Sequence, residues 1–235
     1  MNIIMKRFLA AEGLLYAVFL IGDLLAWPTD GIKFLAIGLC PGLACVWARH
    51  TREWFVPAAL LLSWIADACL LFGGPYLFGV LCFCGVQALF AARLMWLRSK
   101  VRRFKWRDHV QSVAWRISLY GAALVTLRLT AGTDLLTPLH AAALKSFSQL
   151  SVNAAEAWHL QRFEPRVRSF AAGLLLFWLC DLCVGLRYLL AGSAWELPIA
   201  YGIWFFYLPA QVCIALAEKC TPTNAKKEPQ WVCKL

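Results

Sequence analysis

The chain is built from apolar runs of about bilayer-crossing length, separated by short segments in which the charges collect. Hydrocarbon offers backbone groups no water to bond, so runs this long and this uniformly apolar fold as helices. Composition agrees: 61% of the residues are hydrophobic and 15% charged, with a mean hydropathy of +0.64. Soluble globular domains carry about a quarter charged residues. Little of the 235 residues remains outside the runs. The expected organisation is an all-α membrane protein, with one transmembrane domain over residues 1–218 and a short cytoplasmic tail over 219–235.

Eight runs are predicted, over Phe8–Trp27, Ile32–Trp47, Trp54–Phe72, Tyr76–Leu97, Val113–Leu129, Asp134–His159, Arg168–Leu190 and Glu196–Ala217. The first begins like a signal peptide at Lys6-Arg7, but Glu12 and Asp23 interrupt it and no small-x-small site precedes Pro28, so it reads as an uncleaved helix. Outside the runs or within one residue of their ends, seventeen Lys and Arg fall on one side of the alternation and two, Lys33 and Arg128, on the other. That asymmetry predicts a multi-pass integral protein with both termini cytoplasmic, in the cell membrane if the source is a bacterium. A net charge of +10 and the cluster from Arg98 to Arg107, interleaved with Phe104 and Trp106, raise nucleic acid as a partner. A juxtamembrane loop on anionic lipid accounts for the same residues, each charge contributing about 1 kcal/mol there. Membrane lipids are therefore expected as partners, and nucleic acid is not.

Two of the runs contain an acid in a repeated setting. Trp64-x-x-Asp67-x-Cys69 recurs as Trp178-x-x-Asp181-x-Cys183, and the offset from 67 to 181 is 114 residues. The run after each also repeats, as Phe83-x-x-x-Gln87 and Tyr207-x-x-x-Gln211, with a 124-residue offset that one longer loop absorbs. The chain thus reads as two related halves of four helices, a weak 4+4 internal repeat, each half offering one Asp and one Gln. Carboxyls inside a bilayer cost a few kcal/mol each on insertion scales and line cavities or paths, which makes Asp67 and Asp181 the candidate centre. Ser63 and Trp64 lie one turn before Asp67, and Gln87 is expected to approach that acid from the neighbouring antiparallel helix. The competing reading makes Asp67, Gln87, Asp181 and Gln211 interhelical hydrogen-bond partners, with Lys145 as a buried counter-ion. Lys145, Gln149, Asn153 and Glu156 form one helical stripe that is expected to avoid lipid. For Glu12, Asp23 and His140, structural pairing or an interfacial position is the expected role. Eight of the ten cysteines sit in apolar runs and read as small buried side chains. Cys180-x-x-Cys183 lacks the second pair or histidines that a zinc site needs, so no metal is expected.

Four segments carry a resemblance: S-W-I-A-D-A-C-L-L around Asp67, G-V-Q-A-L-F-A-A-R-L around Gln87, L-L-L-F-W-L-C-D-L-C around Asp181, and Y-L-P-A-Q-V-C-I-A-L from Tyr207. Together they resemble the YhhN, or lysoplasmalogenase, family, whose eight predicted helices carry such motifs in corresponding places. Ala66 and Cys180 stand where that family usually has Gly and Ser, and Gln87 where it usually has His. The resemblance implies cleavage of the vinyl ether of a lysophospholipid substrate, releasing a fatty aldehyde and a glycerophospho-base, with no cofactor. It casts Asp67 and Asp181 as the catalytic pair and Ser63, Gln87, Lys145, Tyr207 and Gln211 as substrate-binding residues. A small-molecule or proton-coupled transporter using the same acids, and a family relative without activity, are the alternatives. An intramembrane aspartyl protease fits less well, because neither acid lies in the Y-D and G-x-G-D motifs of that group.

Overall fold

A computed structural model describes residues 3–101, 106–131 and 137–217. The expected tail over 219–235 lies outside the described residues, as do Arg102, Arg103, Phe104 and Lys105 of the basic cluster. Among the described residues there are eight α-helices and no strand: α1 (Ile3–Leu24), α2 (Asp30–Thr51), α3 (Phe55–Leu71), α4 (Tyr76–Val101), α5 (Trp106–Ala131), α6 (Pro138–Leu160), α7 (Arg168–Leu189) and α8 (Glu196–Leu216). Four of them, α2, α4, α7 with its leading turn, and α8, are long and apolar enough to cross a membrane; α3 is apolar but has 17 residues. The outward surface is strongly apolar, with Leu14, Ile21, Leu35, Ile65, Ile117, Leu175 and Phe205 all exposed. This chain fits a membrane protein.

The helix ends follow local chemistry. Helix α6 starts at Pro138 rather than in the expected region of Asp134. Proline at the first helical position loses no needed donor, and the Thr137 hydroxyl accepts the His140 backbone N–H at 3.4 Å. Helix α5 begins at Trp106, seven residues before the expected Val113, with Asp108 in its first turn, where the helix dipole favours an acid. The turn between α3 and α4 is tight: Gly73 takes φ +72°, and the Gly74 N–H donates to the Cys69 carbonyl at 2.8 Å.

Contacts between elements arrange α2, α3, α4, α6, α7 and α8 as a closed ring, each packed on the next and α8 returning to α2. Helix α1 covers the seam between α2 and α8, and α5 packs on the outside of α6. Ring neighbours that are consecutive in the chain run antiparallel, whereas α4 and α6, and α8 and α2, run parallel. Phe34 of α2 meets Phe72 of α3, Lys33 meets Asp23 of α1, and His140 of α6 meets Tyr188 of α7. One end of the bundle therefore gathers the α1–α2, α3–α4 and α7–α8 turns and the start of α6. The core inside the ring is aromatic and aliphatic, with Phe19, Phe90, Phe170, Phe177, Leu60, Leu150, Leu174 and Ile214 sealed from solvent.

The other end carries buried charge that sequence reading passed over. Glu53, just before α3, accepts from Arg93 Nε of α4 at 2.5 Å, and the Arg93 guanidinium lies 4.4 Å from the Phe170 ring centre on α7. An arginine inside the apolar run around Gln87 was the available signal, since a cation there calls for a counter-ion. Glu156 of α6 likewise joins Arg116 of α5 at 3.1 Å and Arg98 of α4 at 3.7 Å.

Candidate functional site

Small residues set the register that brings the acids together. A Cβ at Gly79 of α4 would lie 3.2 Å from the Ala66 carbonyl, and one at Gly85 would meet Leu62, so α4 runs down α3 with Gly79 beside Asp67. One turn further in, Phe83 of α4 touches Phe177 of α7 with ring centres 5.9 Å apart, and Phe177 touches Tyr207 of α8 at 5.5 Å. Asp181 stands one turn outward from Phe177, as Gly79 does from Phe83, so Asp67 and Asp181 share one level. Asp67 is four residues from the end of α3 and Asp181 eight from the end of α7, so α3 continues about 6 Å beyond its acid and the longer α7 about 12 Å, at 1.5 Å per residue. Both acids belong to the half of the bundle nearest the α3–α4 and α7–α8 turns.

Asp67 is held by a chain of side chains crossing from α8 to α3. The Tyr207 hydroxyl donates to Asp67 Oδ2 at 2.6 Å, and its oxygen lies 2.9 Å from Ser63 Oγ. Gln211 Nε2 donates to the same serine oxygen at 3.1 Å. With the tyrosine proton committed to the carboxylate, the serine proton turns to Tyr207, and every bond runs toward Asp67. All four residues are buried, and each satisfied bond avoids leaving a polar atom stranded in a low-dielectric interior. Asp67 Oδ1 takes no hydrogen bond from another described residue.

Asp181 is half-buried and makes no hydrogen bond to another described residue. The buried Cys180 thiol links the two acids in space, lying within electrostatic range of Asp181, Asp67, Cys183 and Tyr207. Cys183 borders Gly202 of α8, where an added Cβ would come within 3.2 Å of its sulfur. Cys180 is a free thiol here, and its location at this centre was not apparent from a sequence that reads as packing.

The remaining candidates go elsewhere. Gln87 is sealed from solvent, and both its side-chain and backbone carbonyls accept from Asn153 Nδ2 of α6, at 3.0 and 2.9 Å. The α3–α4 register sets it opposite Ala59 and Leu60, two turns inward of Asp67, so its expected approach to that acid is not what the helices bring about. Lys145 is exposed and lies near Cys84 rather than in the acid layer. The stripe that included it divides, Asn153 facing α4 while Glu156 and the Gln149 carbonyl take Arg116 of α5. Asp23 pairs with Lys33 at 2.8 Å and accepts from Thr29, and Lys33 sits 4.7 Å from the Trp204 ring centre. Glu12 is buried against the Cys40 thiol at 3.5 Å. Trp64 and Trp178 serve packing, donating to the Phe34 carbonyl and Ser151 Oγ and stacking on Phe34 and Phe147.

An all-helical bundle with an apolar exterior and four long apolar helices, carrying a buried Asp67 and a half-buried Asp181, fits the class of helical membrane proteins. Within that class, the chain belongs to the YhhN family, whose profile matches residues 30–217, from the start of α2 to the end of α8. No curated protein and no solved structure is significantly similar to it.

Proposed function

We propose that the chain is an eight-span membrane hydrolase that cleaves the vinyl ether of a lysoplasmalogen with Asp67 and Asp181 as its paired carboxyls. The observation that carries this reading is that the two acids belong to the same half of the bundle, both within electrostatic range of the Cys180 thiol. Their shallow depth supports a lipid substrate. A single-chain lipid resting in the bilayer keeps the bond to its glycerol just below the headgroups, one to two helical turns from the surface. With the basic ends of α4 and α6–α7 facing the cytoplasm, this layer opens toward the opposite side. Helix adjacency supports the 4+4 repeat: shifting each label by four carries α1·α2, α2·α3, α3·α4 and α4·α6 onto α5·α6, α6·α7, α7·α8 and α8·α2.

The chemistry needs two groups. One carboxyl gives its proton to the vinyl carbon distal to oxygen, leaving an oxocarbenium ion. The other, as carboxylate, faces that cation and takes a proton from the water that attacks it, by the logic of paired carboxylates in glycoside cleavage. The resulting hemiacetal breaks its bond to glycerol, releasing the fatty aldehyde and the glycerophospho-base. The first carboxyl, now a carboxylate, takes the hemiacetal hydroxyl proton while the second gives its proton to the departing alcohol oxygen, so both carboxyls return to their starting charge and one water is consumed per turnover. In this reading, Ser63, Tyr207 and Gln211 act through Asp67, Lys145 contacts substrate only where it extends beyond the acid layer, and Gln87, sealed and bonded to Asn153, serves the α4–α6 interface.

The test is aldehyde release from a vinyl-ether lysophospholipid by the purified full-length protein. Asp67→Asn and Asp181→Asn, which keep side-chain shape and remove proton transfer, are each expected to lower the rate by at least about a hundredfold while leaving the protein inserted. Wild-type protein that releases no aldehyde but moves protons or small solutes into vesicles, with both substitutions stopping the flux, would establish the carrier instead. Variants that lose only thermal stability, with neither activity present, would make the acids interhelical glue in a relative whose Ala66, Cys180 and Gln87 mark lost chemistry.

A further inference from the structure

The two halves differ at the paired positions one turn inward of the acids, polar in one half and apolar in the other. The 114- and 124-residue offsets carry Ser63 onto Phe177 and Tyr207 onto Phe83. Each pair meets across its own helix interface, Ser63 and Tyr207 through a 2.9 Å hydrogen bond, Phe83 and Phe177 through rings 5.9 Å apart. The equivalent contact is thus made twice, once with hydroxyls beneath Asp67 and once with phenyl rings beneath Asp181. Asp67 has a fixed orientation as a result, and Asp181 has no comparable restraint among the described residues.

We infer that Tyr207 is a positioning residue: backed by Ser63 and Gln211, it pins Oδ2 of Asp67 so that Oδ1 is the single oxygen presented to the reacting atoms, while Asp181 stays free to turn. The inference rests on the hydrolase reading for its kinetic consequence. Pinning matters because a carboxyl rotating about its Cβ–Cγ bond offers two oxygens over a wide arc, whereas proton transfer requires one oxygen at hydrogen-bond distance along a defined direction. Backing matters because a lone phenol bond can swing. Ser63 meets the Tyr207 oxygen from α3, the helix that carries Asp67, so the two helices cannot slide past each other without breaking the chain. Gln211, one turn along α8 from Tyr207, closes it with its second helix contact.

The test uses full-length protein, a choline-headed vinyl-ether lysophospholipid as probe, and infrared difference spectroscopy of the carboxyl stretch on the same preparations. Tyr207→Phe is expected to lower kcat about a hundredfold with KM within twofold of wild type, Ser63→Ala to lower kcat about tenfold, and Gln211→Leu to lower it less. The carboxyl band that Asp67→Asn removes is expected to shift in Tyr207→Phe, and the band that Asp181→Asn removes is expected to stay in place. Phe83→Tyr, which gives the second half the hydroxyl it lacks, is expected to shift the Asp181 band. A rise in KM at constant kcat would make Tyr207 a substrate contact and overturn the inference, as would an unmoved Asp67 band. A shifted band with unchanged kcat would reduce the bond to a structural one and overturn it equally. If wild type releases no aldehyde, the hydrolase reading falls by itself, and the infrared arm still decides whether Tyr207 holds Asp67.

Discussion

Gly173 and Gly185 lie on the same helix, α7, and their environments predict opposite outcomes for the same substitution. At Gly173 an added methyl would fall 2.6 Å from Ile214 Cγ1 and 3.0 Å from both the Ala210 carbonyl oxygen and the Ile214 nitrogen of α8. A side chain can turn aside; backbone cannot, so α8 must retreat by a few tenths of an ångström. Overpacking costs roughly 1–3 kcal/mol, and with two backbone atoms among the contacts the upper half of that range, about 2–3, applies, of which alanine's better helix propensity returns about 1. Gly173→Ala is therefore expected to lose about 1–2 kcal/mol. At Gly185 nothing lies within 4 Å of the added methyl, so Gly185→Ala is expected to gain about 0.5–1 kcal/mol from propensity alone. For a chain of this length the two should melt roughly 5–10 °C apart in detergent, followed by tryptophan fluorescence. Function should follow packing, because Tyr207 lies on the displaced helix one turn from Ala210 and reaches across to Asp67. Since a misplacement of about 1 Å can cost a hundredfold, the smaller shift should slow aldehyde release by about tenfold in Gly173→Ala. Equal melting temperatures would refute the close α7–α8 contact, and a low-melting Gly173→Ala with wild-type turnover would refute the coupling of that contact to the acids.

Three further outcomes are expected. Glu53→Gln should cost about 3–5 kcal/mol by leaving the buried Arg93 charge without its carboxylate, while Glu53→Leu with Arg93→Met should recover most of that loss in thermal melts; a single variant as stable as wild type would disprove the pair's burial. Asn153→Leu should cost about 1–3 kcal/mol by stranding the Gln87 carbonyls, and Gln87→Leu added to it should restore part of the loss, which a double-variant melting series measures. A cysteine introduced at the exposed Pro75, in the α3–α4 turn, should react with a membrane-impermeant thiol reagent from the side opposite the Arg98–Arg107 cluster; labelling from the cytoplasmic side would reverse the topology.

The sequence by itself determined the helical class, the succession of elements and the identity of the two acids. Those properties are written in one dimension: a run of apolar residues declares a helix wherever its neighbours lie, and an Asp within it stands out against a background that penalises charge. Most helix ends were legible within about four residues, and the larger misses, at the starts of α1 and α5, fell where Lys6-Arg7 and Arg107-Asp108 lie within the helix ahead of its apolar stretch. Only the tertiary structure decided who meets whom. Tyr207, Ser63 and Gln211 look no more polar in the sequence than Gln87 and Asn153, yet the first three converge on Asp67 and the last two on each other. Lys145, the apparent counter-ion, turns outward, while Arg93 and Glu53, 40 residues apart, form a buried pair. The physical reason is that periodicity fixes the face a residue occupies on its own helix, but the neighbour on that face and its height depend on register. Register here is set by contacts such as Gly79 on Ala66 and Phe83 on Phe177, between residues distant in the chain.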